Sequence, residues 1–82
     1  MNNGLIPLTQ LAAHQEGVIA ELHGGAGFVS RLATLGFTPG APLTMVQNFG
    51  HGPLIVLVRD ARIALGRGEA AKITIRKGEN DD

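Results

Sequence analysis

The sequence predicts a mostly β domain: a small barrel of about five short strands, with a short helix between the first and second strands. Three observations support this prediction. Short apolar runs recur along the chain, twelve glycines are spread between them, and the whole chain has only 82 residues. Short apolar runs separated by glycines are typical of strands joined by turns. Because such strands are about five residues long, a closed or nearly closed barrel is the economical way to bury one face of each.

The first elements are a helical turn and a strand. Leu8, Leu11 and Ala12 fall at i, i+3 and i+4, which predicts one or two helical turns over residues 7–15. From residue 18 the apolar period changes to two, which predicts a half-buried first strand. One face of this strand is expected to carry Val18, Ala20 and Leu22, and the other Ile19, Glu21 and His23.

A helix is predicted after the glycine-rich stretch 24–27. Phe28, Leu32 and Leu35 fall at i, i+4 and i+7, so they are expected on one face of that helix. Gly36 stands where a left-handed C-terminal cap is needed. Residues 38–40 then predict a turn, since proline fixes φ and glycine tolerates a positive φ.

The second half of the chain is predicted to hold the other four strands. They are expected at residues 43–49, 54–59, 62–65 and 72–76, with a tight turn at Asp60-Ala61 and a short helical corner at 66–71. A polar tail is expected at residues 77–82. The chain is therefore predicted to be one domain, residues 1–82, with a core at about 5–76.

Composition excludes several classes of function. Seven basic and seven acidic residues give zero formal net charge, so there is no basic surface for nucleic acid or anionic lipid. The absence of Cys excludes disulfides and thiolate metal sites, and it suits a reducing cytosol. No apolar run approaches the ~20 residues that span a bilayer, and the first residues do not look like a signal peptide.

No catalytic constellation is visible, so an enzyme is not expected. The glycine-rich stretch 24–27 follows a strand and precedes a helix, but its spacing does not match a phosphate-binding loop, and a tight turn is the simpler interpretation. Ser30 is the single serine and lies within the helix pattern. The carboxylates lie in separate turns and strand edges, so no pair for acid–base chemistry is predicted.

A metal site is weakly indicated at one place. Glu21 and His23 would share one face of the first strand and could supply two ligands of a weak surface site for a divalent ion. Two ligands do not make a structural or catalytic site. Solvated side chains are therefore the favoured interpretation, and no cofactor is predicted.

The run Leu54-Ile55-Val56-Leu57-Val58 is anomalous for a strand with one face in water. If Leu54, Val56 and Val58 fill the core, Ile55 and Leu57 face outward. The alternative is that a helix or a terminal segment covers them. Exposed apolar residues here would indicate a partner or self-association.

Residues 31–40, Arg-Leu-Ala-Thr-Leu-Gly-Phe-Thr-Pro-Gly, strongly resemble the "RL..LGf.pG" motif of the FeoA family, ferrous iron transport protein A. Leu8-Thr9-Gln10-Leu11 with Glu16-Gly17 is similar to the opening of that family. Four later segments of this chain are similar to the closing half of the family pattern: Gly52-Pro53, residues 63–67, Glu69-Ala70 and Ile73-Thr74-Ile75. The resemblance covers about residues 5–76. The chain departs from the family pattern at two places. Relatives often have Gly at the position of Asp60, and they are often polar at the positions of Ile55 and Leu57.

The resemblance implies an SH3-like barrel and an accessory role in bacterial ferrous iron uptake. The implied partner is FeoB, a membrane permease with a cytosolic G-domain, which places the protein in the cytoplasm and recruits it to the inner membrane. A homo-oligomer is left open. The positions that match the family motif, with mainly structural roles expected, are Arg31, Leu32, Leu35, Gly36, Gly40 and Arg67.

Partner binding is predicted through apolar residues, because interface energy concentrates in apolar anchors. The predicted partner contacts are Phe37, Met45, Phe49, Ile55 and Leu57. Two alternatives remain. The same barrel resembles the C-terminal domain of metal-dependent repressors, which implies a metal-responsive regulatory domain, and the three histidines suggest a weak metal carrier.

Overall fold

The computed structural model describes residues 4–78, which form six strands, two α-helices and a short 3-10 helix. The strands are β1 (Leu5–Pro7), β2 (Glu16–Leu22), β3 (Pro42–Gln47), β4 (Leu54–Val58), β5 (Ala61–Leu65) and β6 (Ile73–Lys77). The helices are α1 (Ala26–Thr34) between β2 and β3, and α2 (Arg67–Ala70) between β5 and β6; the 3-10 helix is Leu8–Gln10.

All six strands belong to one antiparallel sheet in the order β1-β6-β2-β3-β4-β5. Ile6 of edge strand β1 and Leu65 of edge strand β5 both pack on the same core, so the sheet curls around that core. Within residues 4–78 the two edge strands do not pair with each other, and the barrel is therefore open along one seam. The predicted barrel with a helix between its early strands is confirmed, with six strands in place of five.

The core draws one side chain or more from nearly every element. Its largest fully buried members are Phe37, Leu8, Leu11, Ile19, Leu32, Met45, Leu54, Ile73, Ile75, Val56 and Val58. No polar or charged side chain of the described residues is buried among them. The interior formed by residues 4–78 is therefore apolar throughout.

A β-bulge interrupts the predicted alternation of the first strand. The pairing of β2 with β6 shifts between Ile19 and Glu21, so Ala20 is an extra residue. Ile19 and Leu22, predicted on opposite faces, therefore both pack on the core, whereas Val18 is exposed. A bulge breaks the simple alternation of a strand and bends it, which helps the sheet to close. The period-two pattern of the sequence carries no sign of this extra residue.

The N-terminal and C-terminal boundaries also differ from prediction. The predicted helical turns of residues 7–15 reduce to one 3-10 turn, preceded by β1, a strand of three residues that includes Pro7. At the other end, β6 continues through Lys77, which pairs with Gly17. The predicted polar tail therefore overlaps a strand at residue 77, and residues 79–82 lie outside the described residues.

Helix α1 ends in a Schellman motif, which explains much of the 31–40 sequence. Gly36 has φ +102°, its N–H donates to Ala33 O, and the Phe37 N–H donates to Leu32 O. The predicted cap at Gly36 is thus confirmed. Leu35, predicted on the buried helix face, is exposed because the helix ends at Thr34; Phe37 takes the core position next to Leu32.

The hairpin between β4 and β5 turns at Arg59-Asp60, one residue earlier than predicted. Val58 pairs with Ala61, which leaves only these two residues in the loop, and both have positive φ, 50° and 67°. Two-residue hairpins favour such left-handed turns because their twist matches that of the strands. The turn directs Arg59 back toward the loop that follows α1.

Candidate interaction surface

The outer face of the sheet carries a row of apolar side chains. Along β4, Leu54, Val56 and Val58 are buried, whereas Ile55 is half-buried and Leu57 is 37 % exposed. This is the alternation that the sequence predicted for that strand. No helix or terminal segment of residues 4–78 buries Leu57, so the outward apolar residues are surface.

The row extends across three strands. Leu57 lies opposite Thr44 of β3, and Val18 of β2 lies opposite Pro42 of β3. Pro42 and Thr44 are two residues apart and share a face, so they link the two pairs. We call this surface the outer strip, which consists of Val18, Pro42, Thr44, Ile55 and Leu57. The sequence indicates only part of this strip, since the period-two pattern does not show which face of β2 is outward, and Pro42 lies just before the predicted strand at residues 43–49.

Charged side chains flank the outer strip on two sides, one on β2 and one on β5. Glu16 lies opposite Thr44, and Arg62 of β5 lies opposite Leu57. An open depression at the Pro42 end is lined by Glu16, Pro42, Leu43, Thr44, Leu57, Arg59 and Asp60. An apolar floor with a mixed-charge rim is the general form of a protein interaction surface.

Phe37 and Met45 do not belong to this surface. Both are fully buried in the core, each with none of its surface exposed. Phe37 is drawn inward by the Schellman motif, and Met45 points inward because it neighbours the outward Thr44 on β3. The predicted partner contacts are corrected accordingly, and Phe49, Ile55 and Leu57 remain accessible.

Phe49 lies apart from the centre of the outer strip, on the loop between β3 and β4. It is 71 % exposed, the highest exposure of any large apolar residue described. The loop begins after Gln47, which pairs with Ile55, so Phe49 adjoins the Ile55 end of the strip. A ring held this far out of the core contributes little to folding and is available to a partner.

Asn48 fixes the loop that presents Phe49. Its Nδ2 donates to Thr9 O at 3.0 Å and to Leu11 O at 2.8 Å. Its Oδ1 accepts the Gly50 N–H at 3.0 Å and an Arg67 N–H at 3.1 Å. All the hydrogen-bonding groups of this amide are therefore used. Sequence reasoning missed Asn48, because nothing in a lone loop asparagine indicates partners about 40 residues away.

The two arginines of the family motif make internal contacts. Arg67 also donates to Gly52 O and Thr9 O, both at 3.3 Å, and so connects α2 with the loop and the 3-10 helix. Arg31 Nη2 donates to Glu69 Oε2 at 2.7 Å, which joins α1 to α2. None of these contacts involves a residue of the outer strip. Both arginines join elements of the barrel to each other, which is a structural role.

Glu69 is the described residue whose pKa clearly departs from its ordinary value. The hydrogen bond from Arg31, and after it one from the Gly66 N–H to Glu69 Oε1 at 3.2 Å, lower the pKa of this carboxyl. Glu69 therefore caps α2 and binds α1 with the same carboxylate. It is engaged on both oxygens and is not poised for proton transfer.

The structure brings Glu21 and His23 together. His23 Nε2 lies 3.2 Å from Glu21 Oε1 and 3.2 Å from Thr74 Oγ1. Across residues 4–78 there is no group of three or more His, Cys, Asp or Glu side chains placed to hold a metal ion. Two ligands on an exposed strand face are fewer than the four of a structural zinc site.

The topology and the core define a small SH3-like β-barrel, whose apolar outer face is its candidate interaction surface. The FeoA domain model matches residues 6–77. An Fe(2+) transport protein A from Methanocaldococcus jannaschii is 31 % identical over 75 residues, which cover 92 % of this chain and 90 % of that protein. The chain therefore belongs to the FeoA family, as its resemblance indicated.

Solved structures agree with this assignment. The crystal structure of an iron uptake regulatory protein (FeoA) has a TM-score of 0.85 and 30 % identity, covering 90 % of this chain and 99 % of the other. FeoA of Stenotrophomonas maltophilia, an SH3 domain protein crystallised with zinc, has a TM-score of 0.73 and 32 % identity, covering 85 % and 88 %. A manganese-dependent transcriptional repressor has a TM-score of 0.81 at 17 % identity, with 42 % of its chain covered; that likeness shows the fold alone.

Proposed function

We propose that this protein is a non-enzymatic accessory factor of ferrous iron uptake, which binds the cytosolic part of a FeoB-type iron permease. Family membership supports the iron-transport part of the proposal, since the matched M. jannaschii relative is an Fe(2+) transport protein. The S. maltophilia relative has itself been proposed as a ferrous iron transport activating factor. The partner and the mode of action rest on the surface of this chain.

The outer strip is the observation that carries the proposal. A sheet with one face on the core is expected to be polar on its other face. Here Val18 of β2 and Leu57 of β4 are 40 % and 37 % exposed on the outer face, with Pro42 and Thr44 of β3 between them. Keeping apolar side chains in water has no benefit for an isolated barrel, so this surface is best explained by a partner.

A binding role also suits the rest of the molecule. The conspicuous charged groups, Arg31, Glu69 and Arg67, are engaged in contacts within the barrel. No helix within the described residues is long and apolar enough to cross a membrane. The proposal accordingly assigns no cofactor and no catalytic residue, and it places the protein in the cytoplasm beside the membrane that holds its partner.

The direct test is a binding assay with the purified cytosolic domain of the FeoB-type permease from the same organism. We expect a one-to-one complex by isothermal titration calorimetry, and repeating the titration with GDP and with a non-hydrolysable GTP analogue shows whether the nucleotide state affects affinity. A heat-inactivated permease domain is the control. Absence of binding in every nucleotide state would contradict the proposal.

A further inference from the structure

Strand β5 is a sheet edge that no other element of residues 4–78 pairs with, and its protection against pairing is slight. Edge strands are normally shielded by shortness, proline, bulges or clustered charge, because their free backbone groups invite another strand. The other edge, β1, has three residues and includes Pro7. By contrast, β5 has five residues, Ala61–Leu65, without proline or glycine, and its register with β4 is unbroken throughout.

The free hydrogen-bonding groups of β5 can be assigned to two residues. In a hairpin closed by a two-residue turn, the residues flanking the turn form a hydrogen-bonded pair, and such pairs alternate along the ladder. Ala61, Ile63 and Leu65 therefore direct their backbone groups toward β4. Arg62 and Ala64 direct their N–H and C=O groups away from the sheet, and no residue among 4–78 bonds to them there.

The side chains of β5 do not block an approaching strand. Ala61, Arg62 and Ala64 are exposed, and Ile63 is half-buried. Arg62 carries the single charge of the strand, and Ala64 is small. The sequence of β5 is also self-complementary in one register: an antiparallel copy centred on Ile63 overlaps all five residues and sets Arg62 of each copy against Ala64 of the other.

We propose that β5 pairs with β5 of a second copy of this chain, in the antiparallel register centred on Ile63. In this register Arg62 and Ala64 exchange backbone hydrogen bonds with Ala64 and Arg62 of the other copy, and the two Ile63 side chains meet. A register centred on Arg62 sets two like charges directly opposite and shortens the overlap. The chain has zero formal net charge, so no long-range repulsion opposes self-association.

This pairing uses a surface different from the outer strip and is independent of the proposed function. Ile55 and Leu57 of β4 lie beside Ala64 and Arg62 on the outer face, so pairing would join the outer strips of two copies into one continuous surface. The interface is isologous, as in most symmetric dimers. Because the described contact is one five-residue strand, the association is expected to be weak and reversible.

The test is sedimentation equilibrium of the whole chain between about 10 µM and about 1 mM, a range that captures weak dimers. Wild-type protein is expected to show a reversible monomer–dimer equilibrium, with the amide signals of Arg62 and Ala64 shifting with concentration in NMR spectra. A protein that stays monomeric throughout this range would overturn the proposal, and a strand of a different protein would then be the candidate partner of β5. A dimer whose concentration-dependent shifts fall elsewhere would overturn it too.

Charge substitutions test the register. Ala64→Lys sets the introduced lysine against Arg62 of the other copy at two symmetric positions, and we expect the dissociation constant to rise by about tenfold. Ala64→Glu reverses the sign and is expected to strengthen the dimer, which gives a second measurement if the first variant folds poorly. Arg62→Glu combined with Ala64→Lys is expected to restore association. Equal dissociation constants in all these variants would refute the register.

Discussion

The side chain of Arg59 lies across the backbone of Gly36. A Cβ placed on Gly36 would lie 2.8 Å from Arg59 Cδ, and Arg59 Nε donates to Gly36 O at 3.4 Å. The same guanidinium reaches Thr38 Oγ1 at 3.3 Å. The β4–β5 turn therefore holds the end of α1 in place. The positive φ of the helix cap requires glycine at position 36, and the exposed Arg59 side chain would have to shift to accommodate a Cβ there.

Gly36→Ala is expected to destabilise the protein by about 1–2 kcal/mol, mainly because an L-residue is strained in the left-handed region, with a smaller part from displacing the Arg59 side chain. The free energy of unfolding in urea measures this effect. Gly68→Ala is the matched control: Gly68 lies in α2 with open space around its Cα, so little change is expected. A Gly36→Ala protein as stable as wild type would contradict this interpretation.

The two causes can be separated with Arg59→Ala in the Gly36→Ala background. Removing the arginine abolishes the clash, but the backbone at residue 36 keeps its φ of +102°. We expect the cost of Gly36→Ala to be smaller in this background without disappearing. An unchanged cost would show that Arg59 has no part in the requirement for glycine.

Asn48→Ala is expected to destabilise the protein by about 2–3 kcal/mol, since it removes four hydrogen bonds at a partly buried site. Chemical denaturation measures the loss, with Gln47→Ala on the preceding residue as the control. The loop that carries Phe49 should also loosen. The Gly50 amide, which bonds to Asn48 Oδ1 in the wild type, should then exchange with solvent faster. Unchanged exchange at Gly50 would contradict the role assigned to Asn48.

Glu69 should make stability depend on pH in the acid range. Its pKa is lowered in the folded state, mainly by Arg31, so the unfolded chain binds more protons there and stability increases with pH. The contribution is complete above the ordinary range of a carboxyl group and is lost as the pH falls through the lowered pKa. The Glu69→Gln protein should therefore be less stable than wild type at neutral pH. The difference in free energy of unfolding between the two proteins should decrease as the pH falls.

Urea denaturation of both proteins between neutral and acid pH measures this difference in free energy of unfolding. Arg31→Gln is the companion variant, because removing the guanidinium takes away the main cause of the shift. In that background the effect of Glu69→Gln should vary less with pH, since the Gly66 hydrogen bond and Lys72 still lower the pKa of Glu69. A stability difference between wild type and Glu69→Gln that stays constant into acid solution would show that the pKa of Glu69 is not lowered in the folded protein.

The order of elements could be predicted because the relevant signals are local. The alternation along Leu54–Val58 and the Gly36 cap each depend on neighbours in sequence, and both predictions are confirmed. The bulge at Ala20 could not be predicted, because the partner strand β6 determines it and the partner is about 55 residues distant. For the same reason Val18 and Leu22, predicted on one face, lie on opposite faces of β2.

The candidate surface was predicted in part. Ile55 and Leu57 were found because an apolar run is unusual on a half-exposed strand. Phe37 and Met45 were included on residue type alone, and only the folded chain shows that the cap of α1 and the pleat of β3 bury them. The contacts of Arg59 and Asn48 join distant loops and leave no periodic pattern in the sequence.

The central claim is that the outer strip binds the permease. The most direct test is to titrate the cytosolic domain of the permease with the Leu57→Glu variant of this protein. Leu57 lies opposite Arg62, so the new carboxylate has a nearby cation and the barrel should stay folded, as circular dichroism can verify. Ala33→Glu, at an exposed position of α1, adds the same charge away from the strip. We expect Leu57→Glu to weaken binding at least about tenfold, as for an interface anchor, and Ala33→Glu to bind like wild type. A folded Leu57→Glu protein that binds as tightly as wild type would contradict the claim.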